Sequence, residues 1–296
     1  MRMSVAFLLV SVLGPHPACA DTAGSAEWLQ EGIGARQLGM GGAARATAGD
    51  VHAGSWNPAG LAAREPEPWS VGSMITVAGL GRSVASLSVA RQTDTSGTFA
   101  LTWARRTIAG LERVDDQGSV TETAAGADDL AALSWGASPF YQLRVGASLK
   151  VLHQQLFDFS STGSAADLGV QVQPWLDHDI EVGVTLQNAV SFQRWNTGTT
   201  NAGARAYGAG AAWRTWHDRV TVAADVVSVG GAAAPAIHAG AEVWALDQLA
   251  GRAGWNDGRP AAGLTYLWKP YQLDYGIELD RQHLGPIHQV SFLLHF

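Results

Sequence analysis

The sequence has 296 residues, of which 47% are hydrophobic and only 15% are charged, whereas about 25% of an ordinary soluble domain is charged. Its 19 Lys and Arg against 26 Asp and Glu give a net charge of −7, and this acidic balance argues against nucleic acid as a partner. The single cysteine, Cys19, lies in the leader described next, so neither disulfides nor cysteine chemistry are expected in the mature chain.

Residues 1–20 have the three parts of a secretory signal peptide. Arg2 supplies the positive charge, residues 5–13 form a short apolar run, and residues 18–20 (ACA) form a small-residue cleavage site. The apolar run is too short to span a bilayer as a helix. We therefore expect a cleaved leader and an exported protein, and a lipidated Cys19 is the less favoured alternative.

Residues 21–66 do not alternate regularly and contain a glycine-rich motif, GARQLGMGGA, at 34–43. Its glycines allow the backbone to lie close to a neighbouring strand; they are Gly39, Gly41 and Gly42. Asp50 follows and can cap a short turn. These features predict a compact segment that is separate from the strands after it.

A second motif, SWNPAGL at 55–61, has the features of a short helical turn. Asn57 fits the N-cap, and Pro58 suits the first helical position, where its missing N–H costs nothing. Gly60 disfavours a longer helix. We predict a capped turn that satisfies backbone groups in a confined space.

From residue 67 onward, apolar residues alternate with polar or small ones, as in 271–280 (YQLDYGIELD). This period-two pattern predicts about fourteen strands, with a range of 12–16. They lie near 67–77, 83–92, 97–106, 127–137, 142–155, 164–173, 180–188, 203–213, 218–228, 235–244, 248–256, 260–268, 271–280 and 287–296. Strands of about ten residues are long enough to cross a bilayer when tilted. Residues 67–296 are therefore expected to form an all-β, antiparallel transmembrane barrel.

Loop lengths favour a membrane barrel over a soluble sandwich, which alternation alone does not. Long predicted loops at 107–126, 156–163 and 189–202 alternate with short turns, and this sorting is typical of outer-membrane barrels with periplasmic turns. The short turns also carry aromatic residues that would form a girdle at one membrane interface: Phe140, Tyr141, Trp175, Trp213, Trp216, Trp244, Trp268 and Tyr271. We expect the bacterial outer membrane, and hence its lipid, to surround the protein.

The lumen face is expected to hold paired charges and many small residues. The charges are Arg144, Lys150, Arg252, Asp167, Glu181, Asp225, Glu242, Asp274 and Glu278, which must pair or stay wet when buried. The small positions, which leave room for an inner segment, are Gly146, Gly169, Gly183, Gly240, Gly263 and Gly276. The histidines show no spacing that gathers metal ligands or a catalytic triad. We therefore expect no enzyme, no metal and no cofactor.

The motif pair at 34–43 and 55–61, the strand number and the terminal Phe296 together resemble PorV/PorQ-like outer-membrane proteins and their relatives, the FadL-type transporters of long-chain fatty acids. The resemblance implies that residues 21–66 form a hatch inside or at the periplasmic mouth of the barrel. It also implies one of two functions. The first, slightly favoured by the short chain, is the attachment or export of proteins secreted by a type IX-like system. The alternative is the transport of small hydrophobic molecules such as fatty acids.

The last strand ends with Phe292, Leu294 and Phe296 on one face. This ending resembles the C-terminal signal by which the outer-membrane assembly machinery recognises its barrels. The resemblance implies that this machinery is a partner during biogenesis.

We expect Phe296→Ser to lower the yield of folded barrel in the outer membrane, because the final aromatic group of the assembly signal is removed. Quantitative immunoblots of outer-membrane fractions would measure the yield. A yield equal to that of the unchanged chain would contradict the assembly role.

Overall fold

The computed structural model of the chain describes residues 32–63, 67–93, 95–175, 179–279 and 285–296. The predicted signal peptide at 1–20 lies outside the described residues. Helical structure is limited to α1 (Ala35–Gly39) and two 3₁₀ turns, Ala53–Ser55 and Pro58–Ala62. Across the described ranges, no helix is both long and apolar enough to cross a membrane.

Fifteen strands follow in the described chain, and fourteen of them are long. They are β1 (Trp69–Ala78), β2 (Arg82–Thr93), β3 (Gly97–Val114), β4 (Val120–Phe140), β5 (Leu143–Leu156), β6 (Phe159–Trp175), β7 (Ile180–Trp195), the two-residue β8 (Thr200–Asn201), β9 (Ala206–Thr215), β10 (Val220–Val229), β11 (Ala236–Leu246), β12 (Leu249–Asn256), β13 (Arg259–Trp268), β14 (Tyr271–Glu278) and β15 (Ile287–His295).

The long strands close into one antiparallel barrel. Each pairs with the next along the chain, β7 passes directly to β9, and β1 pairs with β15 from Ser70↔His295 to Val77↔His288. Closure leaves no unpaired sheet edge, which is the condition for a sheet to lie in lipid. The prediction of an all-β antiparallel barrel of about fourteen strands is confirmed.

The two faces of each strand differ in the way that a membrane barrel requires. On β3 the outward side chains are large and exposed, namely Phe99 (43%), Leu101 (60%) and Trp103 (44%). The side chains between them point into the lumen and are buried, namely Ala100, Thr102 and Ala104. A soluble protein rarely exposes so much contiguous apolar surface, whereas a lipid-facing wall consists of it.

The prediction of long irregular loops at 107–126, 156–163 and 189–202 is wrong, because strands extend into all three ranges. The β3–β4 ladder continues to Val114↔Val120, the β5–β6 ladder continues to Leu156↔Phe159, and β7 runs to Trp195 before turning to β8. Their alternation was too polar to be recognised as strand. These extensions carry polar cross-strand pairs, such as Arg113–Glu122 at 3.1 Å, in place of apolar side chains that would face lipid. We call this end of the barrel the hairpin end.

The opposite end, where β1 begins and β15 finishes, is here called the terminal end. Exposed aromatic side chains surround it, including Phe140, Tyr141, Trp213, Trp216 and Trp268; the side chain of Trp175 lies outside the described residues. Phe292 joins this girdle through its ring contact with Tyr271, with centroids 5.8 Å apart. The backbones of Phe296 and Trp69 exchange two hydrogen bonds of 2.9 Å, which fix the end of the chain to the start of the wall.

We expect Leu101→Arg to destabilise the folded barrel by about 2–4 kcal/mol, because the guanidinium would face the middle of the bilayer. Val120→Arg is the matched control, since Val120 is equally apolar and 52% exposed but lies at the tip of the β3–β4 hairpin. Urea unfolding in lipid vesicles would measure both variants. Equal destabilisation of the two would contradict the inference that the tip of the β3–β4 hairpin lies outside the lipid-facing belt.

Candidate functional site

Residues 32–63, here called the inner segment, cross the interior of the barrel. Helix α1 contacts β12, β13, β14 and β15, whereas the turn Pro58–Ala62 contacts β3, β4, β5 and β6 on another arc of the wall. The segment is almost entirely buried. It therefore lies across the lumen as a partition between the terminal end and the hairpin end.

Asn57 connects the turn, the segment and the wall. Its Oδ1 accepts a hydrogen bond from Ala59 N at 3.1 Å, which caps the turn that Pro58 begins. Its Nδ2 donates to Arg45 O at 2.6 Å and to Val170 O on β6 at 3.1 Å. Asn57 is fully buried, and both ends of its amide are satisfied, as a buried amide requires.

Glycines in the wall allow the segment to lie against the strands. A Cβ at Gly146 would lie 2.3 Å from the Pro58 carbonyl carbon, and one at Gly183 would lie 1.9 Å from Arg45 O. At Gly169 it would lie 2.0 Å from Asn57 Oδ1. Since real side chains do not approach so closely, these positions of the wall must lack one.

The first motif meets the opposite arc in the same way. A Cβ at Gly39 would lie 3.0 Å from the Cα of Gly263 on β13. Gly41 and Gly42 have φ of +65° and +80°, the left-handed region that favours glycine. Within the segment itself, a Cβ at Gly60 would lie 2.2 Å from Ala48 O. The glycines of both motifs thus lie where the backbone packs too closely, or turns too sharply, for another side chain.

Asp50 holds a bend between the two motifs. Its Oδ1 accepts from His52 N at 2.9 Å, and its Oδ2 accepts from Gln37 Nε2 at 2.8 Å. His52 is 2% exposed, and burial lowers its pKa, so the imidazole is neutral at neutral pH. This bend is therefore held by hydrogen bonds to the aspartate, with the neutral ring packed beside it.

Asp225 on β10 binds the backbone of the segment. Its Oδ2 accepts from Ala44 N at 2.8 Å and from Arg45 N at 2.9 Å, and the Arg45 guanidinium lies 3.6 Å from the same oxygen. Arg45 also lies over the ring of Trp56, 5.5 Å from its centroid. One wall carboxylate therefore positions a cation and an aromatic ring of the segment.

A second carboxylate, Glu242 on β11, receives Arg36 in a bidentate pair with bonds of 3.0 and 2.9 Å. Arg252 on β12 bonds the same carboxylate. The charge of Glu242 raises the pKa of Arg36 above its usual value, so Arg36 stays cationic. Removing one partner of such a buried pair generally costs about 3–5 kcal/mol in folding stability. The Arg36–Glu242 pair therefore holds the inner segment strongly to β11.

The predicted lumen charges are paired in the structure. Arg144 lies 2.7 Å from Glu181, Lys150 contacts Asp167, and Arg252 lies 3.6 Å from Asp274. Sequence reasoning missed that Arg36 and Arg45 of the segment complete this network. The spacing of Arg36 and Arg45 did not indicate that they pair with the wall, although Arg36 lies within the glycine-rich motif and Arg45 lies two residues after it.

A cavity of about 890 Å³ lies on the hairpin-end side of the inner segment. Ile33 and Trp56 contribute to its floor, and the Trp56 indole N–H donates to Ile33 O at 2.8 Å. Apolar side chains of β1, β2 and β4 lie on one side, namely Met74, Val84 and Leu130, with Thr102 and Arg106 of β3 among them. Polar side chains of β11 to β14 form the facing wall, namely His238, Asn256, Arg259 and Glu278. This size and this mixed lining are typical of small-molecule sites.

The predicted assembly residues lie elsewhere. Phe292 and Phe296 are exposed on the outside of the terminal end. Phe292 and Leu294 belong to β15, and Phe296 follows its last residue. None of the three lines the cavity. Among the described residues, no cluster of three or more His, Cys, Asp or Glu could hold a metal ion.

The fold is thus an all-β, antiparallel closed barrel of fourteen long strands with a short N-terminal helical segment. No family model and no curated protein matches the sequence. Solved structures do match. The TodX deltaS2S3 mutant, a monoaromatic hydrocarbon channel, is 13% identical at a TM-score of 0.66, covering 90% of this chain and 99% of its own.

Two further structures agree. The CymD monoaromatic hydrocarbon channel is 15% identical at a TM-score of 0.63, and a Pseudomonas aeruginosa FadL homologue is 9% identical at 0.58. Each match covers 90% of this chain and 98% of the other. At such identities the likeness shows the fold. The predicted FadL-type barrel fold is thereby confirmed, whereas the assignment to the PorV/PorQ type stays a prediction.

We expect Gly146→Val to displace the inner segment and raise the conductance of the barrel several-fold in planar bilayers, because the new side chain would overlap Pro58. Gly251→Val is the matched control, since a Cβ at Gly251 has no atom within 4 Å. Heat-modified mobility on gels would verify that both barrels fold. Unchanged conductance of a folded Gly146→Val barrel would contradict the sealing role of the segment.

Proposed function

We propose that the protein is an outer-membrane channel for small apolar molecules, in which residues 21–66 serve as a hatch. The observation that carries the proposal is the 890 Å³ cavity, which is bounded below by the inner segment and on one side by an apolar wall. This function is the alternative named from the sequence, and the structure supports it better than the secretion role.

The apolar wall suits a ligand that leaves water. Met74, Leu130 and Ile33 are at most 5% exposed and belong to one cluster inside the lumen. Removing apolar surface from water contributes roughly 25 cal/mol per Å², so a ring or short chain against this cluster would be held without any charge. The polar facing wall would keep the remaining part of the cavity wet.

The solved structures give independent support. TodX and CymD are described as monoaromatic hydrocarbon channels, and they share this barrel fold at TM-scores above 0.6. Because the inner segment lies across the lumen, we propose that it moves when a ligand passes toward the periplasm. Lipid surrounds the exposed apolar belt, and the assembly machinery remains an expected partner through the last strand.

The secretion-associated role rests on the motif resemblance to PorV/PorQ-like proteins alone. The hairpin end, where secreted proteins would attach, consists of short β-ladders with ion pairs such as Arg113–Asp158 at 3.0 Å. These exposed pairs give no specific support for protein attachment. Neighbouring genes for type IX secretion machinery would favour this role over transport.

We expect cells that express the protein to take up labelled toluene faster than cells that lack it. Ala132→Trp should slow this uptake, because Ala132 is buried and lines the cavity, which an indole would narrow. Ala131→Trp is the matched control, since Ala131 is exposed on the outer face of the same strand.

Equal uptake with and without the protein would overturn the proposed function. Equal slowing by the two tryptophan variants, at equal amounts of folded barrel, would show that the cavity is not the path. Both outcomes are read from initial uptake rates normalised to barrel content.

A further inference from the structure

One part of the cavity wall carries polar groups that have few hydrogen-bond partners among the described residues. Thr76 on β1 and Gln289 on β15 are direct cross-strand partners. Both line the cavity, and each is only 6% exposed. The Oε1 of Gln289 has no hydrogen-bond partner in the part of the chain that the structure describes.

The large majority of buried polar side-chain atoms are hydrogen-bonded, and the Oε1 of Gln289 is one of twelve among the described residues that are not. Gln289 presents either an acceptor or, by rotation of its last torsion, an N–H donor to the same place. The Thr76 hydroxyl beside it donates only to the weak acceptor Met74 Sδ, at 3.9 Å, and can rotate toward a stronger acceptor in the cavity. The pair is therefore equipped to bind an oxygen-bearing group in the cavity.

Arg82 adds charge to this place. It lies on β2 opposite Ala78, which is two residues beyond Thr76 on β1, and its side chain lines the cavity. Its Nε donates to Gly79 O at 3.2 Å, and it has no carboxylate partner among the described residues. The other cavity cations are paired: Arg45 with Asp225, Arg106 with Asp128, Lys150 with Asp167, and Arg259 with Glu278.

The charge of the cavity favours an anion at this point. Of the five Arg or Lys side chains that line it, four are paired with carboxylates, which leaves Arg82 as the lining cation without a carboxylate partner among the described residues. The carboxylates on either side along the wall are paired: Asp128 on β4 with Arg106, and Glu278 on β14 with Arg259 at 2.9 Å and with Asn256 Nδ2 at 2.6 Å. Within the part of the chain that the structure describes, the guanidinium of Arg82 therefore faces the cavity without a carboxylate partner, and guanidinium pairs with carboxylate strongly and with defined geometry.

The apolar wall begins directly beside these groups. Val84 is the cross-strand partner of Thr76, and Met74 lies one rung further toward the floor. The apolar layer from Met74 to Val84 is about two residues high along the strands, or roughly 7 Å. This height matches an aromatic ring or a short alkyl group better than a long chain.

We propose that Arg82, Thr76 and Gln289 form a subsite for the carboxylate of a compact aromatic or short-chain carboxylic acid. The guanidinium, hydroxyl and amide N–H donate to the carboxylate, and the apolar part of the ligand packs against Val84 and Met74. The inference rests on the proposed channel function and deepens it, because it names an organic anion as a substrate class besides uncharged hydrocarbons.

Equilibrium binding to the purified full-length protein in detergent tests the subsite, with 4-ethylbenzoate and its uncharged methyl ester as probes. We expect the carboxylate to bind about tenfold more tightly than the ester. Arg82→Met, Gln289→Leu and Gln289→Glu should each remove most of this preference while the ester affinity changes little. Gln289→Glu should act most strongly, because it places a negative charge beside the ligand.

Arg105→Met is the matched control, since Arg105 carries the same charge on the outer face of β3 and is 51% exposed. It should leave the preference unchanged. Equal affinity for the two probes, or a preference that survives both Arg82→Met and Gln289→Leu in folded barrels, would overturn the subsite. Toluene uptake then separates the two proposals: uptake that persists leaves the channel standing, and uptake that is absent overturns the channel as well.

Discussion

Where the inner segment meets the wall, backbone lies against backbone, and the rest of the interior depends on this close approach. At Gly146, Gly169 and Gly183 a side chain would overlap the segment, with Cβ separations of 2.3 Å or less. Because the wall strands use their own N–H and C=O groups in the closed ladder, they offer the segment few backbone hydrogen bonds. Side chains such as Asn57 and Asp225 supply those bonds instead, and they fix the height at which the lumen is closed.

That closure divides the lumen by chemistry as well as by position. Asp225 and Glu242 bind the segment on the β10–β12 arc through buried cations, whereas Ile33 packs with Met74 and Leu130 on the β1–β5 arc. A ligand above the partition therefore meets the apolar cluster of Ile33, Met74 and Leu130 beside cations that line the same cavity, such as Arg106 and Lys150. Each arc carries the side chains by which it holds the segment: carboxylates on the β10–β12 arc and apolar side chains on the β1–β5 arc.

Period-two alternation predicted the strands, since lipid on one face and a packed lumen on the other impose it on every strand, but the sorting of loops and the aromatic turns were needed to favour a barrel over a sandwich. It failed at 107–126, where the ladder leaves the membrane and polar pairs such as Arg113–Glu122 replace apolar ones. The motif glycines and Asn57 were recognisable because turns and close approaches demand particular residue types. The cavity could not be recognised from the sequence, because Met74 and Leu130 look like ordinary strand residues until closure of the barrel brings distant strands together.

Binding and sealing share residues in this molecule. Arg45 and Trp56 line the floor of the cavity, yet Arg45 is also held by Asp225, and Trp56 also holds Ile33 through its indole N–H. A ligand that contacts the floor must therefore act on the groups that fasten the segment, since it competes for their surface and changes their exposure to water. Contact on the upper wall, at Arg82 and Gln289, lies away from these fastenings. Substitutions there should alter selectivity while the closure of the barrel is retained.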